Sequence, residues 1–159
     1  MTTSLRVHAI DPQRLARIRA SGRDEHGNAI TLRVAGGGEP LRCCLGKAIR
    51  GEQIALIGYS PFECASPWAE VGPVFVHPDD CGGYPRPSAF PEQFRVGPRV
   101  LRAYAADTTM LYQHNTIVAE GEDVEAQVRR LLDQGDVAVV HLRALVEQCF
   151  TFAVTRDLR

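Results

Sequence analysis

Lysine is almost missing from this chain. Lys47 stands alone, and every other cationic side chain is arginine. Codon bias accounts for such a skew, but an arginine fork also grips carboxylate or phosphate with two parallel bonds where lysine offers a point charge. Long apolar runs are missing too. None approaches the ~18 residues of a membrane-spanning helix, and the opening "MTTSLRVHAIDPQRL" lacks the apolar core of a secretory signal. A net charge of −1 gives no pull toward nucleic acid or an anionic membrane. The familiar chemical signatures are absent as well. "AGGGEP" has neither the spacing nor the lysine of a phosphate-binding loop, and there is no G-x-G-x-x-G, no G-x-S-x-G and no C-x-x-C. No repeat, linker or low-complexity segment interrupts the sequence.

What is present is an ordinary globular composition. Residues 1–159 carry 45% hydrophobic and 23% charged side chains, enough for a sizeable core in one domain. The five cysteines, Cys43, Cys44, Cys64, Cys81 and Cys149, are odd in number. A chain of this length needs no disulfide framework, so the expectation is a cytoplasmic protein with reduced thiols.

Hydrophobic periodicity sets out the elements. "LRVHAI" alternates as a strand. "DPQRLARIRASG" reads as a helix with Asp11 as cap, Pro12 at the first helical position and Gly22 as stop. "AITLRVA", "LRCCLGKA", "EQIALIGYS", "GPVFVH" and "RVLRAYAA" read as strands, and "LYQHNTIVAEG" as a strand bulged near Gln113. "EDVEAQVRRLLDQG" is the clearest helix, with Val124, Val128, Leu131 and Leu132 on one stripe and Gly135 as the expected stop. "DVAVVHLRA" and "QCFTFAVTR" are the last strands. Residues 78–98 form a Pro- and Gly-rich loop whose Tyr84, Phe90 and Phe94 favour packing down over a free lid. The class is α+β: a mixed, mostly antiparallel sheet of about eight strands with two helices on one face. Strand 115–119, the second helix and strand 137–142 form one crossover unit.

Strand parity points to a site. Successive residues face opposite sides of a sheet. Packing the aliphatic faces inward gathers Arg42, Cys44, His77, Arg102, Tyr104, His141, Arg143 and Cys149 on the other face. A solvated face would also hold lysine and glutamate, which are missing here, while thiols and a phenol are present. The first functional reading is therefore a small anionic ligand held by Arg42, Arg102, Tyr104, His141 and Arg143 under the 78–98 loop. The second is a metal or thiol enzyme. "GPVFVHPDDCGGY" places His77 three residues before Cys81, and His141, Cys149 or Cys44 would complete a zinc set. Against it, His77 reads as a strand end, Cys81 as a turn thiol and Cys43 as core, and without zinc no cofactor is implied. The third is an interaction module that forms a homodimer through the second sheet face.

The order "LRCCL…GEQIALIGYSPF…SPWAEVGPVFVH", then "VLRAYAAD", then "VVHLRALVEQCFTFAV" resembles a bacterial family without known activity, domain-of-unknown-function family 1203. The resemblance runs from about Pro40 to the C-terminus. It rests on Gly51-Glu52, Ser66-Pro67-Trp68, Gly72 to Val76, Arg102-Ala103-Tyr104, His141 and Cys149. Ala144 and Gln148 depart from the family pattern, which has asparagine and glycine there. The resemblance implies a fold and no reaction.

Overall fold

The computed structural model describes residues 3–158. Capping chemistry builds the first helix where the sequence expects it. The Asp11 carboxylate accepts from the Gln13 N–H at 3.0 Å, and Pro12 opens helix α1 (Pro12–Ser21). Gly22 closes it at φ +69°, a left-handed conformation that a side chain would resist, and its N–H bonds the Ile18 carbonyl at 3.0 Å. Helix α2 (Val124–Leu132) is capped by Asp123, which accepts from the Ala126 N–H at 3.0 Å. Its end departs from expectation. The Arg129 and Leu131 carbonyls are taken by the N–H groups of Asp133 and Gln134, so Gly135 plays no capping part.

Eight strands form two sheets rather than one. Strands β1 (Leu5–His8), β5 (Arg99–Tyr104), β6 (Thr116–Val118), β7 (Val139–Arg143) and β8 (Phe150–Arg156) make a sheet ordered β1-β8-β7-β5-β6. Strands β2 (Thr31–Val34), β3 (Gln53–Tyr59) and β4 (Gly72–Val76) make a second, ordered β2-β3-β4. Every ladder is antiparallel; an isolated bridge between Leu41 and Phe75 is parallel. Strand β5 runs against both β6 and β7. Strands β6 and β7 are therefore co-directional with β5 between them, and α2 makes the expected crossover over one intervening strand. The helices are shared out, one to each sheet, instead of lying together.

Each sheet has its own core. Leu101, Ala103, Val140, Leu142, Phe152 and Val154 pack with the α2 stripe Val124, Val128, Leu131 and Leu132. Phe90 and Phe94 of the long loop join this core, so the 78–98 segment is pinned in its second half. Leu15 and Ile18 of α1 pack with Ile54, Ile57, Val74 and Val76 of the smaller sheet. Each such side chain contributes about 1.5–3 kcal/mol when fully buried. Among the described residues no helix is long and apolar enough to cross a membrane.

Two local departures change where side chains point. "LRCCLGKA" is not a strand but a tight loop, closed by the Pro40–Lys47 bridge and by the Leu41 N–H on the Gly46 carbonyl at 2.9 Å. Leu45 turns the chain there at φ +58°. In β8 the register shifts by one, so that Leu142 faces Phe152 while Arg143 faces Phe150. That bulge at Thr151 turns Phe150 away from Phe152 and into the core of the smaller sheet.

Candidate metal centre

The 40–47 loop is stitched onto the end of β4. The Arg42 N–H bonds the Phe75 carbonyl at 2.9 Å, and the Ile10 N–H bonds the Arg42 carbonyl at 3.0 Å. This lays the loop tip, Cys43 and Cys44, beside His77. The chain then turns through Pro78-Asp79-Asp80, where the Asp80 carboxylate accepts from the Gly82 N–H at 2.9 Å. That turn brings Cys81 back over the same spot. The result is one cluster: Cys43 Sγ, Cys44 Sγ, a ring nitrogen of His77 and Cys81 Sγ all lie within 4.8 Å of one another.

The individual distances suit a shared ion. His77 Nδ1 is 3.4 Å from Cys43 Sγ and 3.8 Å from Cys44 Sγ. A tetrahedron with zinc-like bond lengths, ~2.3 Å to sulfur and ~2.0 Å to nitrogen, has edges of about 3.5–3.8 Å. The other side of the imidazole is also arranged. Its Nε2 faces Glu52 Oε1 at 3.9 Å, a carboxylate beyond hydrogen-bond reach that accepts from the Ile49 N–H at 2.9 Å. Arg19 clamps the His77 carbonyl through Nη2 at 2.9 Å.

The electrostatics favour one sulfur anion, at Cys44. The His77 N–H points at Cys43 Sγ at 3.2 Å. The Cys44 thiol is pulled down to about 5, chiefly by the Cys43 thiol donating to it. The Gly46 backbone N–H, the His77 imidazole and the Cys81 thiol assist, and partial burial opposes. Cys43 is pushed up by the same hydrogen bond and by its own burial. A stable thiolate among hydrogen-bond donors is the ligand state a soft or borderline cation needs. Cys43 is buried, while Cys81 lies at the surface.

The sequence-derived face is dispersed. Of its metal alternative, His77, Cys81 and Cys44 converge. Among the described residues His141 and Cys149 belong to no such cluster. The fourth member of the cluster is Cys43, which strand parity placed opposite Cys44; a turn puts both sulfurs on one side. Cys149 instead points its thiol at the Glu147 carbonyl, 3.6 Å away.

The five residues read as an anion face do not form one open surface. Arg102 and Arg143 come together, but the chain's own Glu70 sits between them, 3.1 Å from Arg102 Nη1 and 3.2 Å from Arg143 Nη2. Tyr104 and His141 lie beneath, fully buried, with ring centroids 4.6 Å apart. Phe62 and Phe150 cover the imidazole at 5.3 and 5.1 Å. Arg42 is elsewhere, donating to the Phe150 carbonyl at 2.8 Å and the Pro40 carbonyl at 2.6 Å. Burial, with Arg143 and Arg102 nearby, holds the His141 imidazole down to about 3, so it is neutral.

Compared with known proteins, residues 38–156 match the family model described as a protein of unknown function (DUF1203). No curated protein and no solved structure matches the chain. The match begins just before the 40–47 loop and spans all four clustered ligands.

Proposed function

The chain belongs to the DUF1203 family, and we propose that it is a zinc-holding domain in which Cys43, Cys44, His77 and Cys81 bind one ion. The supporting observation is the convergence of four ligand atoms within 4.8 Å, drawn from two loops and a strand end. Three sulfurs and one imidazole select zinc over harder cations such as magnesium or calcium. Four protein ligands fill a tetrahedral shell and leave no open position for water or substrate. The ion is thus structural rather than a Lewis acid, and it ties the 40–47 loop and the start of the 78–98 loop to β4.

The test is metal content by elemental mass spectrometry on tag-free protein, beside a count of reactive thiols. The expected result is close to one equivalent of zinc with three of the five thiols protected, and loss of the zinc in Cys81→Ser. Protein that stays metal-free after zinc loading, with all thiols reactive, overturns the reading in favour of a Cys44-centred thiol site. Iron with sulfide in place of zinc overturns it in favour of a cluster.

A further inference from the structure

On the opposite side of the 40–47 loop from the sulfurs lies a cavity of about 550 Å³. Its walls come from that loop, from β3 and β4, from Phe94 and Arg99, and from the turn before β8. We propose that this cavity binds a small organic carboxylate, with Arg42, Lys47 and Arg99 gripping the anion and its apolar body resting on Leu56, Phe75 and Phe94. The proposal is independent of the zinc reading.

Charge left without a counter-charge carries the argument. Arg42 is only 4% exposed, yet its guanidinium meets two backbone carbonyls and no carboxylate. Burying a guanidinium without an anion is costly. Burial, with Arg99 close enough to oppose the charge, holds Arg42 down to about 10. Among the described residues Arg99 has a buried Nε with no partner and forms no ion pair, although Glu147 at the rim lies near enough to favour its charge. Its guanidinium carbon stands 5.1 Å from the Phe94 ring centroid, and Lys47 Nζ stands 5.9 Å from the same centroid. Three cations therefore share one cavity, and the chain's only lysine is among them. Arg14, Arg95, Arg102, Arg129 and Arg143 each hold a glutamate, while the half-buried Arg19 and Arg156 reach backbone carbonyls without a positive neighbour in the same cavity.

Nearby carboxylates do not complete the set. Glu39 is committed to the Gly36 and Gly37 N–H groups at 2.6 and 2.9 Å. Glu147 is exposed at the rim. Cys149 lines the cavity beside Arg42. The wall chemistry decides the ligand class. Leu56 and Phe75 pair across β3 and β4, Phe75 also packing against the smaller core, and Phe94 closes the end. An apolar floor beside a cationic corner fits an acid with a hydrocarbon body, and the volume fits a small-molecule site. Bare phosphate would leave that floor wet.

The experiment is calorimetric titration of the protein, as purified, with acetate, hexanoate, benzoate, the neutral amides of the last two, and inorganic phosphate. Expected is saturable binding of hexanoate or benzoate, tighter than acetate and phosphate, with no binding of the amides. Arg99→Gln and Lys47→Gln each weaken it about ten-fold or more, the loss of one charge-assisted contact, while Arg102→Gln, outside the cavity, leaves it unchanged. Arg42 is not used, because its backbone bonds make it structural. No saturable binding of any carboxylate, equal binding of the amides, tighter binding of phosphate, or full affinity in both Arg99→Gln and Lys47→Gln would each overturn the proposal.

Discussion

His141 shows how one buried residue sets a pH limit. Its Nδ1 has no hydrogen-bond partner, and its ring is walled by Phe62, Tyr104 and Phe150. The native state holds it neutral down to about pH 3, whereas an unfolded histidine titrates near ~6.5. Above that unfolded value both states are neutral, and the residue adds nothing to the pH dependence. As pH falls through it, only the unfolded chain takes up the proton, so native stability is lost progressively down toward the native value. The ceiling is about 1.4 kcal/mol per pH unit crossed. His141→Phe removes that proton uptake. Denaturant unfolding at pH 7 and pH 4.5 should show the wild type losing at least ~1 kcal/mol more than the variant over this interval. A difference between the two that does not change with pH would show that His141 does not titrate in this way.

At the level of elements, the backbone decides which side chains are available. Gly97 packs against the connection between β6 and α2. Its N–H bonds the Glu122 carbonyl at 3.0 Å, and an added Cβ would lie 2.2 Å from the Ala119 carbonyl oxygen. Backbone cannot swing away as a side-chain tip can, so Gly97→Ala should cost about 1–3 kcal/mol in urea unfolding. Gly72→Ala in β4, where nothing lies within 4 Å, should stay within about 0.5 kcal/mol. Equal effects at the two sites would contradict the packing described. Both helices were legible in the sequence because their signals are local: Asp11 and Asp123 cap, and the 3.6-residue stripe of α2 faces one core. Period-two alternation likewise placed Leu101, Ala103, Val140 and Leu142 correctly. It failed where the period breaks. Leu45 at φ +58° turns a β-like run into a loop, and the bulge at Thr151 moves Phe150 to the other core. The first break takes Arg42 off the supposed arginine face and puts Cys43 beside Cys44, and the second moves the end of β8. Glu70, from an irregular loop, had no periodic signal at all, yet it occupies the Arg102–Arg143 pair. The division into two sheets was equally invisible, because alternation reports a buried face but not which sheet shares it.

Across the whole molecule, the 78–98 loop is held by two kinds of anchor. Phe90 and Phe94 sit in the larger core, Val7 N–H reaches the Pro87 carbonyl at 2.6 Å, and Val96 bridges to Asp123. These hold its second half by contacts that need no ion. The first half, residues 78–86, holds Tyr84, which packs against the larger core and donates to the Ala89 carbonyl at 2.8 Å, and Cys81, whose thiol lies at the surface with two glycines after it. If Cys81 binds the proposed ion, the metal holds that turn while Tyr84, Phe90 and Phe94 stand without it. A ligand bound only by the native state adds stability as RT ln(1 + [L]/Kd), ~4 kcal/mol at a thousand-fold excess over Kd. Stripping zinc with a chelator should lower the melting temperature by several degrees and expose the first half alone. Hydrogen exchange should then quicken over residues 79–83, which are exposed or half-buried, before residues 90–96, where Arg95 is paired with Glu92 and Glu125. Cys81→Ser should show the same early exchange without chelator, and added zinc should reverse it only in the wild type. Simultaneous exchange of both segments would mean that the ion holds the larger core as well. An unchanged exchange pattern would mean that the loop stands without it, leaving the sulfur cluster to thiol chemistry rather than to architecture.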